Sequence, residues 1–235
     1  MSELELVISG LSKLVTDERL QLFHKVLENR TRYLTVVLED IYQPQNASAV
    51  LRTAECFGIQ DVHVIENKNK YNINPDVALG STKWINLFRH NETTHNTVKA
   101  IKKLKNEGYR IVATTPHTHN VGLNEFDLSK GKVALFFGTE LKGLSNKMLK
   151  HADEYLKIPM YGFTESFNIS VSAAIILSQL TGNLRNGNLN WQLSSNEKDI
   201  VLLKWLTKTI KKSDIVLKEL CKSQGINHNS IKALL

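Results

Sequence analysis

The sequence predicts an α/β fold built on a largely parallel sheet. Three observations carry this expectation. Short apolar, β-branched runs recur along the chain, stretches with helical spacing of apolar residues stand between them, and turn formers fall at the joins.

Taken in order, Thr16 can cap a helix whose first turn holds Asp17 and Glu18. Leu20, Phe23 and Leu27 then share a face, so the spacing predicts a helix over 17–29, with Arg19, Lys25, Arg30 and Arg32 in it or just after it. The run LTVVL at 34–38 reads as a buried strand. Gln43–Pro44–Gln45–Asn46 breaks the chain, helical spacing resumes over 47–57 and stops at Gly58, and 62–65 is a second strand. The pattern recurs: a helix over 93–106 and strand 111–114, strand 133–137 and a helix near 146–152, strand 155–158 and a long helix from 169 to about 184. Polar residues 186–196 read as a linker. Beyond it helices are expected at about 197–212 and 214–222, with Lys204, Lys208, Lys211 and Lys212 on one helical face.

The chain has 235 residues, 42% of them hydrophobic and 23% charged, which excludes a collagen, a disulfide scaffold and a wholly disordered chain. No apolar run is long enough for a transmembrane helix. The first residues lack a signal-peptide pattern, and Cys56 and Cys221 are too few for a disulfide framework, so a cytoplasmic protein with reduced thiols is expected. The net charge of +7 is uneven: residues 36–67 hold one basic and five acidic side chains, 68–110 nine and three, 198–235 eight and three. A polyanion partner fits this distribution, and so does a solvated lysine-rich surface.

Phosphate-loop, dinucleotide, nucleophile-elbow and zinc-protease motifs are absent. His117 and His119 have no cysteine pair near them and read as a solvated loop; no metal-ligand set is evident. Three loops that follow strands carry polar clusters instead. In 43–53 (QPQNASAVLRT), Asn46 is placed to cap a helix, and Arg52 has apolar neighbours in Val50, Leu51 and Ala54. A sheltered Arg52 would need an anionic or planar partner; an exposed one could pair with Glu55 or Asp40. In 138–145 (GTELKGLS), two glycines bracket Glu140. In 158–172 (IPMYGFTESFNISVS), Asn168 is placed to cap a helix opening with small residues.

In this order and spacing, NASAVLRTA, FFGTELKGLS and IPMYGFTESFNISVSAA resemble the three motifs of the SPOUT superfamily of RNA methyltransferases, most closely the TrmH-type ribose 2′-O-methyltransferases, with the likeness running over 34–184. The resemblance implies a Rossmann-like parallel sheet with a C-terminal trefoil knot, S-adenosyl-L-methionine as methyl donor, a homodimer and an RNA substrate. It puts Arg52 on the family's catalytic arginine, Asn46 on the active-site asparagine, Glu140 on the motif-two glutamate, and Ser166 and Asn168 on the polar pair of motif three. Thr114, Gly138, Ile158 and Phe167 fall where the family lines its cofactor pocket.

Only about 33 residues precede the first strand, too few for the separate substrate domain of a common ribosomal RNA branch. A short helical N-terminal extension (1–33), a methyltransferase domain (34–185), a linker (186–196) and a basic helical extension (197–235) resemble the layout of members that methylate guanosine 18 in the D-loop of tRNA. That likeness makes Arg19 and Arg30 tRNA contacts, and the tail lysines would add to them. A ribosomal RNA enzyme and a non-catalytic RNA-binding protein are the rival readings. Gln45 stands where the family often has histidine, and Thr181 and Asn183 replace a common basic pair. Arg52 would act either as a base activated by a substrate phosphate or as a clamp on the developing alkoxide. No metal is needed for either role.

Overall fold

The computed structural model describes residues 2–116 and 121–235. His117 and His119 lie outside the described residues. The chain divides into two compact units, 31–191 and a second made of 1–30 with 192–235.

The larger unit is an α/β sandwich around one sheet. Its elements in chain order are β1 (Leu34–Glu39), α3 (Pro44–Cys56), β2 (Asp61–Ile65), α4 (Pro75–Ala78), β3 (Asn86–His90), α5 (Thr97–Asn106), β4 (Arg110–Thr114), β5 (Val121–Gly122), β6 (Val133–Phe137), α6 (Asn146–His151), β7 (Glu154–Lys157) and α7 (Ile169–Asn186). Two earlier helices, α1 (Glu3–Ser12) and α2 (Asp17–Leu27), belong to the other unit. The strands lie in the order β3-β2-β1-β6-β4-β7-β5, and each pairs with its neighbours in parallel.

Alternation along the strands divides the core between two faces. Leu34, Val36 and Leu38 of β1 face α3 and α7 with Val62, Leu135 and Phe137, against Val50, Leu51, Ala173, Ile176 and Leu180. Val37, Ile65, Ala113 and Phe136 point the other way, onto Ala100, Ile101 and Leu104 of α5 and Met148 of α6. With both faces covered, the central strands are largely apolar, which is why five of the seven strands among the described residues were readable as apolar runs.

The differences from expectation are local. β3 went unread because it is an edge strand whose residues are only partly buried, and β5 because it is two residues long. Helix α3 starts at Pro44, whose missing N–H costs nothing in the first turn, and not at Ala47. Asn46 therefore caps nothing: Gln43 is the N-cap position and makes no side-chain cap. Helix α5 starts at Thr97, because Thr93 turns back through N–H and hydroxyl onto Asn96 Oδ1 (both 3.0 Å). Thr16 and Asn168 cap as expected.

The smaller unit holds α1, α2, α8 (Ser195–Thr209), α9 (Ser213–Gln224) and α10 (His228–Lys232). Gly10 lies inside α1. A Cβ there would come within 2.6 Å of the Leu220 side chain, so glycine lets α1 close on α9. The N- and C-terminal extensions thus fold together.

Two RNA-contact expectations meet corrections here. Arg30 is 1% exposed, its guanidinium 5.3 Å from the Trp205 ring centroid, so it is a buried cation–π partner and presents no charge at the surface. The four tail lysines do not share a helical face. Helix α8 ends at Thr209, Ile210 is extended, and Lys212 has φ 55° at the start of α9, so Lys211 and Lys212 sit in a turn while Lys204 and Lys208 stay on α8. Arg19, in the first turn of α2, is exposed.

Candidate functional site

In a parallel sheet, loops leave the carboxyl ends of all strands on one edge, and ligands collect there. The three motif loops follow β1, β6 and β7, and the structure joins them through one side chain. Asn46, in the first turn of α3, donates from Nδ2 to Glu140 Oε1 at 2.6 Å and to Gln43 Oε1 at 3.1 Å. Its Oδ1 accepts from Asn168 Nδ2 at 3.1 Å. Asn168 is itself fixed, because its Oδ1 accepts from Ser170 N (2.8 Å) and Oγ (2.7 Å) at the start of α7. Residues read from three separate motifs therefore form one hydrogen-bonded chain.

The motif-two loop has its own scaffold. Thr139 and Gly143 exchange backbone hydrogen bonds of 3.0 and 2.9 Å across the turn that carries Glu140. Gly138 packs directly beneath: a Cβ there would lie 2.1 Å from the Gly143 carbonyl carbon, so no other residue fits without moving the loop. The loop ends at Ser145, whose N–H and hydroxyl both donate to buried Glu39 at 2.8 Å, and Glu39 also accepts from Thr97 Oγ1 at 2.6 Å. Sequence reasoning missed Glu39. Its signal was a carboxylate closing an otherwise apolar strand.

A cleft of about 400 Å³ opens between these loops. Thr114, Gly138, Glu140, Ser166 and Phe167 line it, and an adjoining smaller cavity shares Thr114, Ser166 and Phe167 and adds Ile158 and Met160. All four residues expected around the cofactor thus border this connected space. Thr114 turns its hydroxyl away, onto Phe136 O at 2.7 Å. The cleft's surface is more apolar than polar, and Glu140 and Glu165 are among the lining residues. The volume suits a small organic molecule, and two carboxylates suit a cationic one.

Arg52 stands apart from that cleft. It is exposed, the second of the two cases the sequence left open, and makes no hydrogen bond or ion pair among the described residues. It lines a separate groove between α3 and α7, with Phe57, Ser170, Val171 and Ile175. Ser170 connects the two places, since it borders the groove and holds Asn168. Asp40 is unavailable to Arg52: its carboxylate takes the backbone N–H groups of Asn67, Lys68 and Asn69.

Residues 33–178 match the SpoU rRNA Methylase family. A tRNA (guanosine(18)-2′-O)-methyltransferase from Borreliella burgdorferi is 50% identical over 204 residues, which cover 87% of this chain and 91% of that protein. The Aquifex aeolicus protein of the same name is 33% identical over 195 residues, covering 82% and 90%. Among solved structures, the A. aeolicus TrmH/SpoU tRNA modifying enzyme superposes with a TM-score of 0.72 at 31% identity, over 83% of this chain and 98% of that one.

Proposed function

The chain belongs to the SpoU rRNA methylase family, and we propose that it transfers a methyl group from S-adenosyl-L-methionine to the 2′-hydroxyl of guanosine 18 in tRNA. The observation that carries this reading is the Glu140–Asn46–Asn168 chain beside the cleft, which brings the three motifs together in a protein half identical to an enzyme of that name.

The fit of the methyl donor rests on the cleft itself. Thr114, Gly138, Ile158 and Phe167 offer backbone and apolar walls for a purine, and Glu140 and Glu165 offer negative charge to a cationic ligand. When bound, S-adenosyl-L-methionine supplies an electrophilic methyl group. The chain's task is alignment of the ribose oxygen, and positioning of that kind is worth roughly 7–11 kcal/mol. Asn46 and Asn168, locked to each other, hold the floor on which the ribose rests, with Ser166 at the rim. Guanidinium groups stay protonated in proteins, so Arg52 serves as the charge partner of the ribose oxygen as its proton leaves. Its lack of a carboxylate partner leaves the charge available for that work.

Arg19 and the lysines at 204, 208, 211 and 212 are proposed as tRNA contacts of the helical unit, each adding salt-sensitive affinity. A homodimer is part of the same reading. The groove beside Arg52 shows apolar side chains, with Val171 43% exposed, and such surface is commonly covered by a partner. No helix among the described residues is long and apolar enough to cross a membrane.

The deciding experiment is nucleoside mass spectrometry of unmodified tRNA incubated with the protein and S-adenosyl-L-methionine. The expected product is one 2′-O-methylguanosine mapped to position 18. Methylation of ribosomal RNA alone would replace the substrate, and methylation of neither would remove the enzymatic reading. Light scattering during size exclusion should return twice the chain mass.

A further inference from the structure

The outer edge of the sheet carries a second cavity that methyl transfer does not use. It measures about 270 Å³ and lies between β3 and α5, with Phe88, Arg89, His90, Glu92, Lys99 and Lys103 among its lining residues. Because every strand runs the same way, His90 at the end of β3 stands on the same edge of the sheet as the three site loops. β3 is two strands from β1, about 10 Å at the usual strand spacing.

Its aromatic wall is built, not incidental. The buried ring of His63 stacks on Phe88 (centroids 4.8 Å, 20°) and on His90 (5.3 Å, 18°). His63 Nδ1 and His90 Nε2 are 3.0 Å apart and share one hydrogen. This fixes the His90 ring, whose Nδ1 has no hydrogen-bond partner among the described residues. If Nδ1 carries the hydrogen, Nε2 accepts from His63, and the pair presents one N–H donor with no net charge.

The cations around it are not equivalent. Lys99 pairs with Glu92, and Arg89 with Glu66 at 2.6 Å. Lys103 has no ion pair among the described residues; its ammonium lies 5.2 Å from the Phe88 ring centroid. Burial, then Lys103, pushes His90 below its ordinary range, with Glu92 opposing and Lys99 adding to the effect. The pocket is thus preformed and partly sheltered, with one ammonium that has no carboxylate partner among the described residues and one imidazole that donates in the tautomer with hydrogen on Nδ1. It sits within the stretch 68–110, where nine basic residues face three acidic ones.

We propose that this pocket holds a backbone phosphate of the RNA substrate, with Lys103 as its counter-charge and His90 as its hydrogen-bond donor. The inference rests on the reading of the protein as an RNA enzyme and extends the footprint of the catalytic unit past its active site. Phosphate contacts of this kind position an RNA strand and carry no base information. Neither residue touches the reacting atoms, so the pocket sets RNA affinity and register and leaves the methyl-transfer step alone.

The test is a salt series of tRNA affinity with the full chain, for wild type, Lys103→Ala and Lys102→Ala. Lys102 is next to Lys103 on α5 and does not line the pocket, so it controls for bulk charge. Lys103→Ala should weaken binding several-fold at low salt and lower the slope of log K against log salt by about 0.7–0.9. KM for tRNA should rise with kcat and cofactor affinity unchanged, and Lys102→Ala should do much less. An unchanged slope in Lys103→Ala overturns the proposal, and so does an equal effect of both variants. In a second arm, His90 ring shifts are followed by NMR on adding inorganic phosphate alone or tRNA. A response to phosphate with none to tRNA makes this a small-anion site and also overturns it. If the wild type binds tRNA without methylating it, the enzymatic reading falls and the Lys103 slope still decides the pocket. If it binds no RNA, both fall.

Discussion

Asn46 and Glu140 lie 94 residues apart and are joined by a 2.6 Å hydrogen bond from amide to carboxylate. With Asn168 on its other side at 3.1 Å, Asn46 is the middle of a chain that no single motif contains. It can fill that place because an amide donates and accepts at once.

Asn46→Asp removes the donor and sets two carboxylates against each other. Turnover should fall by roughly 10²-fold from loss of alignment. Single-turnover methylation of tRNA measures this, and near-normal rates would show that the chain is structural decoration. Asn46→Ala should lose a comparable amount, since Glu140 and Asn168 are then uncoupled.

Arg52→Ala should reduce turnover by roughly 10³-fold while cofactor affinity, read by calorimetry, stays within experimental scatter. The reason is spatial: Arg52 lines the groove between α3 and α7 and does not border the cofactor cleft. Arg52→Lys should recover little, because an ammonium lacks the planar fork. Retained turnover in Arg52→Ala would remove the residue from the reaction.

Gly138→Ala should weaken cofactor binding at least tenfold and lower stability by about 1–3 kcal/mol, the usual penalty for overpacking. The added methyl would lie 2.1 Å from the Gly143 carbonyl carbon, so the motif-two loop must move. Calorimetry and thermal melts check the two effects separately, and binding at wild-type strength would show that the loop yields freely.

Glu39→Ala takes the acceptor from Ser145 N–H, Ser145 Oγ and Thr97 Oγ1. Of these donors Thr97 is buried, and leaving such a group unpaired costs about 1–3 kcal/mol. For a chain of this size the melting temperature should drop by roughly 2–4 °C per kcal/mol. Methyl-donor affinity should fall with it, because Ser145 ends the loop that walls the cleft.

His63 is pushed down to about 3, first by burial, then by His90 and Lys103. The unfolded chain takes up that proton near the ordinary value of 6.5. Between those values the unfolded state binds more protons, so stability falls as pH falls, by up to about 1.4 kcal/mol per pH unit; above 6.5 the term is flat. The charged and titratable neighbours of the pair are His90, Lys99, Lys103 and Glu92. Urea unfolding at about pH 7 and about pH 5 should show a smaller loss for His63→Gln than for wild type. Equal losses would assign the acid sensitivity elsewhere.

Much of the architecture was legible in the chain itself. The central strands are covered on both faces, so their apolar runs announce them, and Thr16 and Asn168 cap helices from positions their side chains predict. The edge strand β3 was hidden, because a strand with one face in water and one edge unpaired loses its apolar signature. The tail misled for a related reason. Spacing counts residues along an assumed helix and does not register that Ile210 leaves it, so four lysines looked aligned where two lie in a turn.

What the sequence determined by itself was local: which stretches form strands and helices, where turns fall, and which polar residues stand in the loops after strands. These follow from periodicity, capping and backbone preference, all set within a few residues. The tertiary structure alone decided which of those residues meet. Asn46 joins Glu140 and Asn168 across 94 and 122 residues, Glu39 reaches Ser145 across 106, and Arg30 turns inward onto Trp205. Such contacts depend on the order of parallel strands in the sheet and on the packing of helices. Those are properties of long-range burial, and no local window of the chain contains them.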